Sequence, residues 1–284
     1  MIGVYDSGFG GLDVLRHLRA ALPKRDFVYL GDSGRAPYGG RDAHTILDFA
    51  EQAVERLFEE GCRTIVVACN TVSCVALRHL QQRYCGPDSD RRILGVTIPG
   101  AEIATQQSTG HIGIIATRRT VASGTYVAEI AKLGDHRVTQ LATPLLTPIV
   151  EEGWEATDIA LKAVDRYLEQ LPDIDTLLLG CTHYPLLLPA IQVRLPRGAT
   201  VIDPAPYAAG RLVEWLERHP AFDAPNPAGR GTLRVLCTGN PDAFARHGTR
   251  FLGTPMPPVQ HVAEVDGRLA HRDPADAPVG QVVR

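Results

Sequence analysis

Thr64-Ile65-Val66-Val67-Ala68-Cys69-Asn70-Thr71, and again Thr176-Leu177-Leu178-Leu179-Gly180-Cys181-Thr182-His183, read as a short apolar strand that ends in a cysteine followed by two hydrogen-bonding side chains. The two cysteines are 181 − 69 = 112 residues apart. Ile112-Gly113-Ile114-Ile115-Ala116-Thr117 similarly repeats the opening Ile2-Gly3-Val4-Tyr5-Asp6-Ser7 at an offset of 112 − 2 = 110. Any two buried strands share apolar letters. That does not account for a cysteine at the same place after each, so the matched offsets indicate an internal duplication. Around these pairs, Phe27–Leu30 and Ile93–Val96 read as further strands, and Leu12–Leu18 and residues 43–60 as helices. Strands alternating with helices predict α/β units built on mostly parallel sheets. Leu233–Cys237 reads as a late strand that returns to the first sheet. The expected division is a discontinuous first unit, 1–94 plus 208–284, and a second, 95–207. Asp203-Pro204-Ala205-Pro206 reads as a turn, Ala208 to His219 as a helix, and the Pro-, Ala- and Asp-rich tail from Thr254 as loosely ordered.

Composition bounds the rest. The 284 residues are 44% hydrophobic and 21% charged, enough to bury a full core, and their length suits about two domains. A balance of 29 Lys plus Arg against 32 Asp plus Glu excludes a charge-driven grip on nucleic acid or an anionic membrane. No apolar run reaches membrane-spanning length, and Met1–Asp6 has neither a basic nor an apolar leader region. The expectation is a cytoplasmic protein with reduced thiols. Its cysteines, at 62, 69, 74, 85, 181 and 237, form no CxxC pair. A zinc set of Cys62, Cys69, Cys74 and His79 fails because Cys62 and Cys69 stand at opposite ends of one strand.

Asp6-Ser7-Gly8-Phe9-Gly10-Gly11 lies between strand and helix, but Asp13 stands where a dinucleotide fingerprint needs its third glycine, and no Gly-Lys-Ser/Thr follows. What remains is an acid and a hydroxyl at the carboxyl end of a strand, where open α/β sheets bind ligands. The loop Gly31–Gly40 reads either as a surface turn or as a donor of Tyr38 and backbone amides to the same edge. Thiols with an ordinary pKa of ~8.5 become bases where a neighbouring group stabilises the thiolate. His183 stands ready for Cys181, and Asp6 for Cys69; the other four cysteines read as packing. Pro144–Gly153 ends in the acids Glu151 and Glu152. A cysteine hydrolase, with Cys181 as nucleophile and His183 as base, is a second reading that leaves Cys69 without a role. A non-catalytic binding module is a third.

Taken together, Asp6-Ser7-Gly8, Pro37-Tyr38-Gly39, Ala68-Cys69-Asn70-Thr71, Pro99-Gly100-Ala101, Ile115-Ala116-Thr117, Gly180-Cys181-Thr182-His183-Tyr184-Pro185 and Cys237-Thr238-Gly239-Asn240-Pro241 resemble the glutamate racemases of the cofactor-independent aspartate/glutamate racemase superfamily, from residue 2 to about 253. The resemblance implies two similar open α/β domains facing each other across an active-site cleft. It further implies that Cys69 and Cys181 are two bases on opposite faces of an amino acid's α-carbon, Cys69 acting on the D-isomer and Cys181 on the L-isomer, with neither PLP nor metal. Asp6, Ser7, Pro37, Tyr38, Gly39, Asn70, Thr71, Thr117, Thr182 and His183 would then hold the substrate, with Asp6, Glu151 and His183 tuning the thiols. The same resemblance implies a small amino-acid substrate, a cytoplasmic homodimer and a supply of D-glutamate for peptidoglycan. A related racemase acting on aspartate or another α-acid is the alternative. The chain departs from the family pattern at Ser33, Gly34 and Ala36, and at Thr143, where Cys is common.

Overall fold

The computed structural model describes residues 1–272. Its first sheet comprises β1 (Ile2–Asp6), β2 (Phe27–Gly31), β3 (Thr64–Val67) and β4 (Arg92–Gly95). The second comprises β5 (His111–Ala116), β6 (Arg137–Ala142), β7 (Thr176–Gly180) and β8 (Thr200–Ile202). The chain then returns to the first sheet as β9 (Leu233–Cys237), β10 (Val259–Val265) and β11 (Arg268–His271). The orders are β11-β10-β9-β2-β1-β3-β4 and β6-β5-β7-β8. Every ladder is parallel except β10 with β11. With β9 to β11 set aside, the two sheets have one and the same order, as the two offsets in the sequence foretell.

Both β1 and β7 are buried along their whole length, which is why they read as unbroken apolar runs rather than as alternating ones. In each sheet the crossover direction reverses beside the first strand, between β1 and β3 and between β5 and β7. That reversal opens a crevice at the carboxyl ends of these strands. One apolar cluster joins the two halves: Leu12, Leu15 and Leu18 of the helix Gly11–Ala21 meet Ala205, Ala208 and Leu212 of the helix Pro204–Arg218, and the cluster continues to Ile149 and Leu187. The two expected joints at 94/95 and 207/208 fall inside β4 and inside the helix Pro204–Arg218, so the chain passes between the sheets through ordered elements. Among the described residues no helix is long and apolar enough to cross a membrane.

Two local expectations change. Asp203-Pro204-Ala205-Pro206 is not a turn but the start of the helix Pro204–Arg218, with the Asp203 side chain accepting from the Ala205 N–H at 3.0 Å. An acidic N-cap followed by proline at the first helical position is a start signal, and it places the helix four residues ahead of Ala208. The tail from Thr254 is ordered as far as it is described, because β10 and β11 form a hairpin. Its turn is Asp266-Gly267, with φ of 49° and 78°, the paired left-handed conformations of a two-residue hairpin loop. Residues 273–284 of that tail lie outside the described residues. Val262 and Leu269 anchor the hairpin beneath the helix Ala43–Glu59, and Leu269 is 3% exposed. Leu269→Ala is therefore expected to cost about 2–5 kcal/mol in urea unfolding. A loss below about 0.5 kcal/mol, as for a surface position, would show that the hairpin is not part of the cooperative core.

Candidate active site

β3 ends at Val67, but the Ala68 N–H still donates to the Tyr5 carbonyl at 2.8 Å, so the strand pairing holds the chain until Cys69. Cys69 then turns it into the helix Asn70–Val75. Cys181 follows directly on Gly180, the last residue of β7, which pairs with Ala116 at the end of β5. Both thiols are over nine-tenths buried and line one cavity of about 210 Å³. That is small beside the roughly 300–1,000 Å³ of sites for drug-sized ligands, and it suits a small metabolite.

The first sheet contributes Ser7, the loop Pro37-Tyr38-Gly39, Asn70 and Thr71 to the cavity wall; the second contributes Thr117, Glu151, Thr182 and His183. Tyr126 donates its hydroxyl to Asn70 Oδ1 at 2.5 Å, which leaves the Asn70 amide NH₂ to donate into the site. The Thr71, Thr117 and Thr120 hydroxyls lie 3.0–3.2 Å apart in a triangle that bridges the halves. Two glycines let the halves close. A Cβ on Gly10 would lie 2.2 Å from Thr182 Oγ1 and 2.7 Å from His183 Nδ1, and one on Gly39 would lie 2.8 Å from Thr117 Cβ.

Asp6 and Tyr38 differ from their expected parts. Asp6 is wholly buried beneath the cavity and does not line it. Its carboxylate accepts from the Gly8 N–H at 2.8 Å and from Thr182 Oγ1 at 3.4 Å, so it joins the Gly-rich turn to the second half. The partner on Cys69 is Ser7, whose Oγ lies 3.3 Å from the sulfur. Burial pushes the Cys69 thiol up to about 12; the Asp6 charge adds to the rise, and the Ser7 hydroxyl opposes it. Asp6 therefore disfavours a thiolate at Cys69 instead of supporting one, as like charges must. Tyr38 lines the cavity, but its hydroxyl is turned into the core, bonded to Asp32 and 3.0 Å from the Tyr5 hydroxyl. It is not a free donor to a ligand.

Cys181 sits in a different field. His183 Nδ1 lies 3.8 Å from its sulfur, and His183 Nε2 lies 3.1 Å from Glu151 Oε1. Burial opposes a charge on this ring, but Cys181 and Glu151 outweigh it and raise His183 to about 10. Thr147, which the sequence reading passed over, places its hydroxyl 3.6 Å from Cys181. It stands four residues before Glu151 on the helix Leu146–Glu151, and that spacing, which puts both on one helix face, was the available signal. Phe251 meets the His183 ring edge-on at 5.3 Å between centroids, and Arg118 is among the residues that line the cavity. No short motif marks either.

Two mostly parallel sheets that share one four-strand order, each ending a strand in a buried thiol at one cavity, define an α/β enzyme whose site is divided between its halves. The comparisons give that class its family. A family model described as Asp/Glu/Hydantoin racemase matches residues 10–212. A glutamate racemase of Desulforudis audaxviator is 39% identical over 272 residues, 92% of this chain and 97% of that one. Among solved structures, glutamate racemase from Francisella tularensis in complex with D-glutamate matches with a TM-score of 0.84 and 30% identity, covering 92% of this chain and 97% of that one. Glutamate racemase from Thermus thermophilus in complex with beta-chloro-D-alanine matches with a TM-score of 0.81 and 38% identity, covering 92% and 96%. The chain belongs to the Asp/Glu/hydantoin racemase family, and it is a racemase, an isomerase by reaction class.

The His183 proton has a sign that can be checked. Its folded value of about 10 lies above the ordinary 6.5, so the stabilisation it gives is complete below about pH 6.5 and is lost as pH rises towards about 10. Nitrogen NMR of the ring should show an imidazolium at neutral pH, with both nitrogens titrating together only near pH 10. A midpoint at or below the ordinary value would overturn this electrostatic account.

Proposed function

We propose that the protein is a glutamate racemase working by a two-base thiol mechanism. The observation that carries this reading is that Cys69 and Cys181, from equivalent strand ends of the two sheets, line one small cavity. In this reading the units 1–94 plus 208–284 and 95–207 supply one base each. Starting from L-glutamate, the Cys181 thiolate takes the α-proton, and the electron pair of the C–H bond passes into the carboxylate-stabilised carbanion. The Cys69 thiol then delivers its proton to the opposite face, leaving D-glutamate, a Cys181 thiol and a Cys69 thiolate. The reverse reaction runs through the same atoms in the opposite order.

The differing fields of the two sulfurs support that starting state. Cys69 is held as a thiol by burial and by Asp6, while Cys181 faces the His183 cation. The weakly acidic α-proton needs donors fixed at the developing negative charge in a site shut off from water. The Asn70 amide and the Ser7 hydroxyl are such donors, while the Thr182 hydroxyl, donated to Asp6, keeps its oxygen as an acceptor, and the Thr71 and Thr117 hydroxyls are suited to the side-chain carboxylate. The glutamate preference draws on the relatives, which are named glutamate racemases, and on the D-glutamate complex of the Francisella protein. The supply of D-glutamate for peptidoglycan, a cytoplasmic location and a homodimeric state draw on the family resemblance.

Exchange of the α-proton in deuterated water tests the reading. Rapid exchange and inversion are expected with both isomers of glutamate, and Cys69→Ser and Cys181→Ser should each lower racemisation by at least roughly 100-fold, the usual contribution of a positioned proton carrier. Exchange with aspartate and none with glutamate would overturn the substrate assignment. Inversion surviving either serine change would overturn the two-base mechanism.

A further inference from the structure

Behind the cavity, on the far side of the Thr182 loop, three side chains outside the proposed reaction converge. Asp13 and His17 stand four residues apart on the helix Gly11–Ala21 and therefore on one face of it. Asp203 faces them from the cap of the helix Pro204–Arg218. One ligand atom from each of the three lies within 4.8 Å of the other two. Asp13 is only 6% exposed, and its Oδ2 is buried with no hydrogen-bond partner among the described residues. A buried carboxylate oxygen left bare in this way is costly and calls for an occupant. Asp13 and Asp203 also line a separate cavity of about 10 Å³, roughly the room of one water-sized sphere, whose far wall includes Asn70, Cys181 and Thr182.

The cation now at this cluster is a side chain. The Arg16 guanidinium donates to Asp13 Oδ1 and reaches His17 Nε2 at 3.3 Å. Since a guanidinium can only donate, this contact takes the tautomer with Nε2 unprotonated, and Nε2 is also the ring nitrogen 4.0 Å from Asp13 Oδ1. The Arg16 side chain is 50% exposed and is free to swing into solvent. Two carboxylates and one imidazole are a donor set for a divalent ion of intermediate hardness, whereas thiophilic ions would prefer the active-site sulfurs. Bonds of ~2.0–2.2 Å set the ligand atoms of one ion roughly 3–3.5 Å apart. His17 Nε2 and Asp13 Oδ1 stand at 4.0 Å and the three ligand atoms lie within 4.8 Å of one another, so binding an ion would draw them together by about 1 Å.

We propose that Asp13, His17 and Asp203 form a divalent-cation site of Mn²⁺ type that clamps the helix Gly11–Ala21 to the start of the helix Pro204–Arg218. It takes part in no step of racemisation. Its effect is to fix the contact between the two halves directly behind Thr182, with water completing the coordination through the partly exposed side chain of His17.

The test is titration of the chelator-stripped full chain with Mn²⁺ alone, reading free Mn²⁺ by EPR. One ion per chain is expected. Asp13→Asn and His17→Gln should each weaken binding at least about 10-fold, while Arg16→Ala, by removing the competing cation, should tighten it. The Arg16 result guards against misfolding, because a damaged protein does not bind more tightly. No stoichiometric binding, as when a lone water fills the cavity, would overturn the proposal. So would binding that survives Asp13→Asn, or binding that depends on Cys69 and Cys181 instead. Since the readout is metal binding and not turnover, its failure is distinct from failure of the racemase reading.

Discussion

The carboxylate of Asp6 is the point on which the two halves close. It is wholly buried, it ends β1, which lies between β2 and β3 in the first sheet, and its two oxygens take the Gly8 N–H and the Thr182 hydroxyl, one from each half. A charge in that position is expensive to desolvate, and burial accordingly raises the Asp6 pKa, with the His183 charge and the Gly8 amide holding it down. The arrangement persists because nothing larger than a hydrogen stands between the turn and its partner at Gly10. Thr182 and His183 are set by that contact, and the sulfur between them and the substrate cavity is set in turn.

The equal strand order of the two sheets explains why this contact creates a site and not merely an interface. Each half brings the carboxyl end of its third strand, with a thiol, to the reversal point of its own sheet. Packed face to face, two such ends enclose a cavity with one sulfur from each side, an arrangement that one sheet alone does not provide. The apolar cluster shared by the helices Gly11–Ala21 and Pro204–Arg218 keeps the two ends in register, and the Thr71, Thr117 and Thr120 hydroxyls bridge the opposite rim.

The parts of this plan that depend on repetition were legible in the sequence. Cys69 and Cys181 stood out because the same letter followed two matched strands, and the parallel sheets followed from buried apolar runs at βα spacing. The parts that depend on where a side chain turns were not. Tyr38 sits at the cavity, yet its hydroxyl goes to Asp32 and Tyr5, and nothing in Pro37-Tyr38-Gly39 reports that rotation. Asp6 was expected beside Cys69 as an aid to the thiolate; its position beneath the turn reverses the sign of its effect. Thr147 and the Asp266-Gly267 turn are different cases, since a four-residue spacing and an Asp-Gly pair were local signals available to be read.

The duplication is therefore geometric and not electrostatic. In the proposed two-base reaction the bases have to be equivalent over a full cycle, because reactant and product are mirror images. They need not be equivalent at any one moment, since one must hold a proton while the other lacks it. The two halves combine one strand order with two different neighbourhoods, Ser7 and a buried carboxylate near Cys69, and His183 with Glu151 near Cys181. Divergence at Asp6 and His183 within a retained framework thus leaves one sulfur in the field of a buried carboxylate and the other beside an imidazole that Glu151 holds, and in the proposed reaction that difference distinguishes the donor from the acceptor.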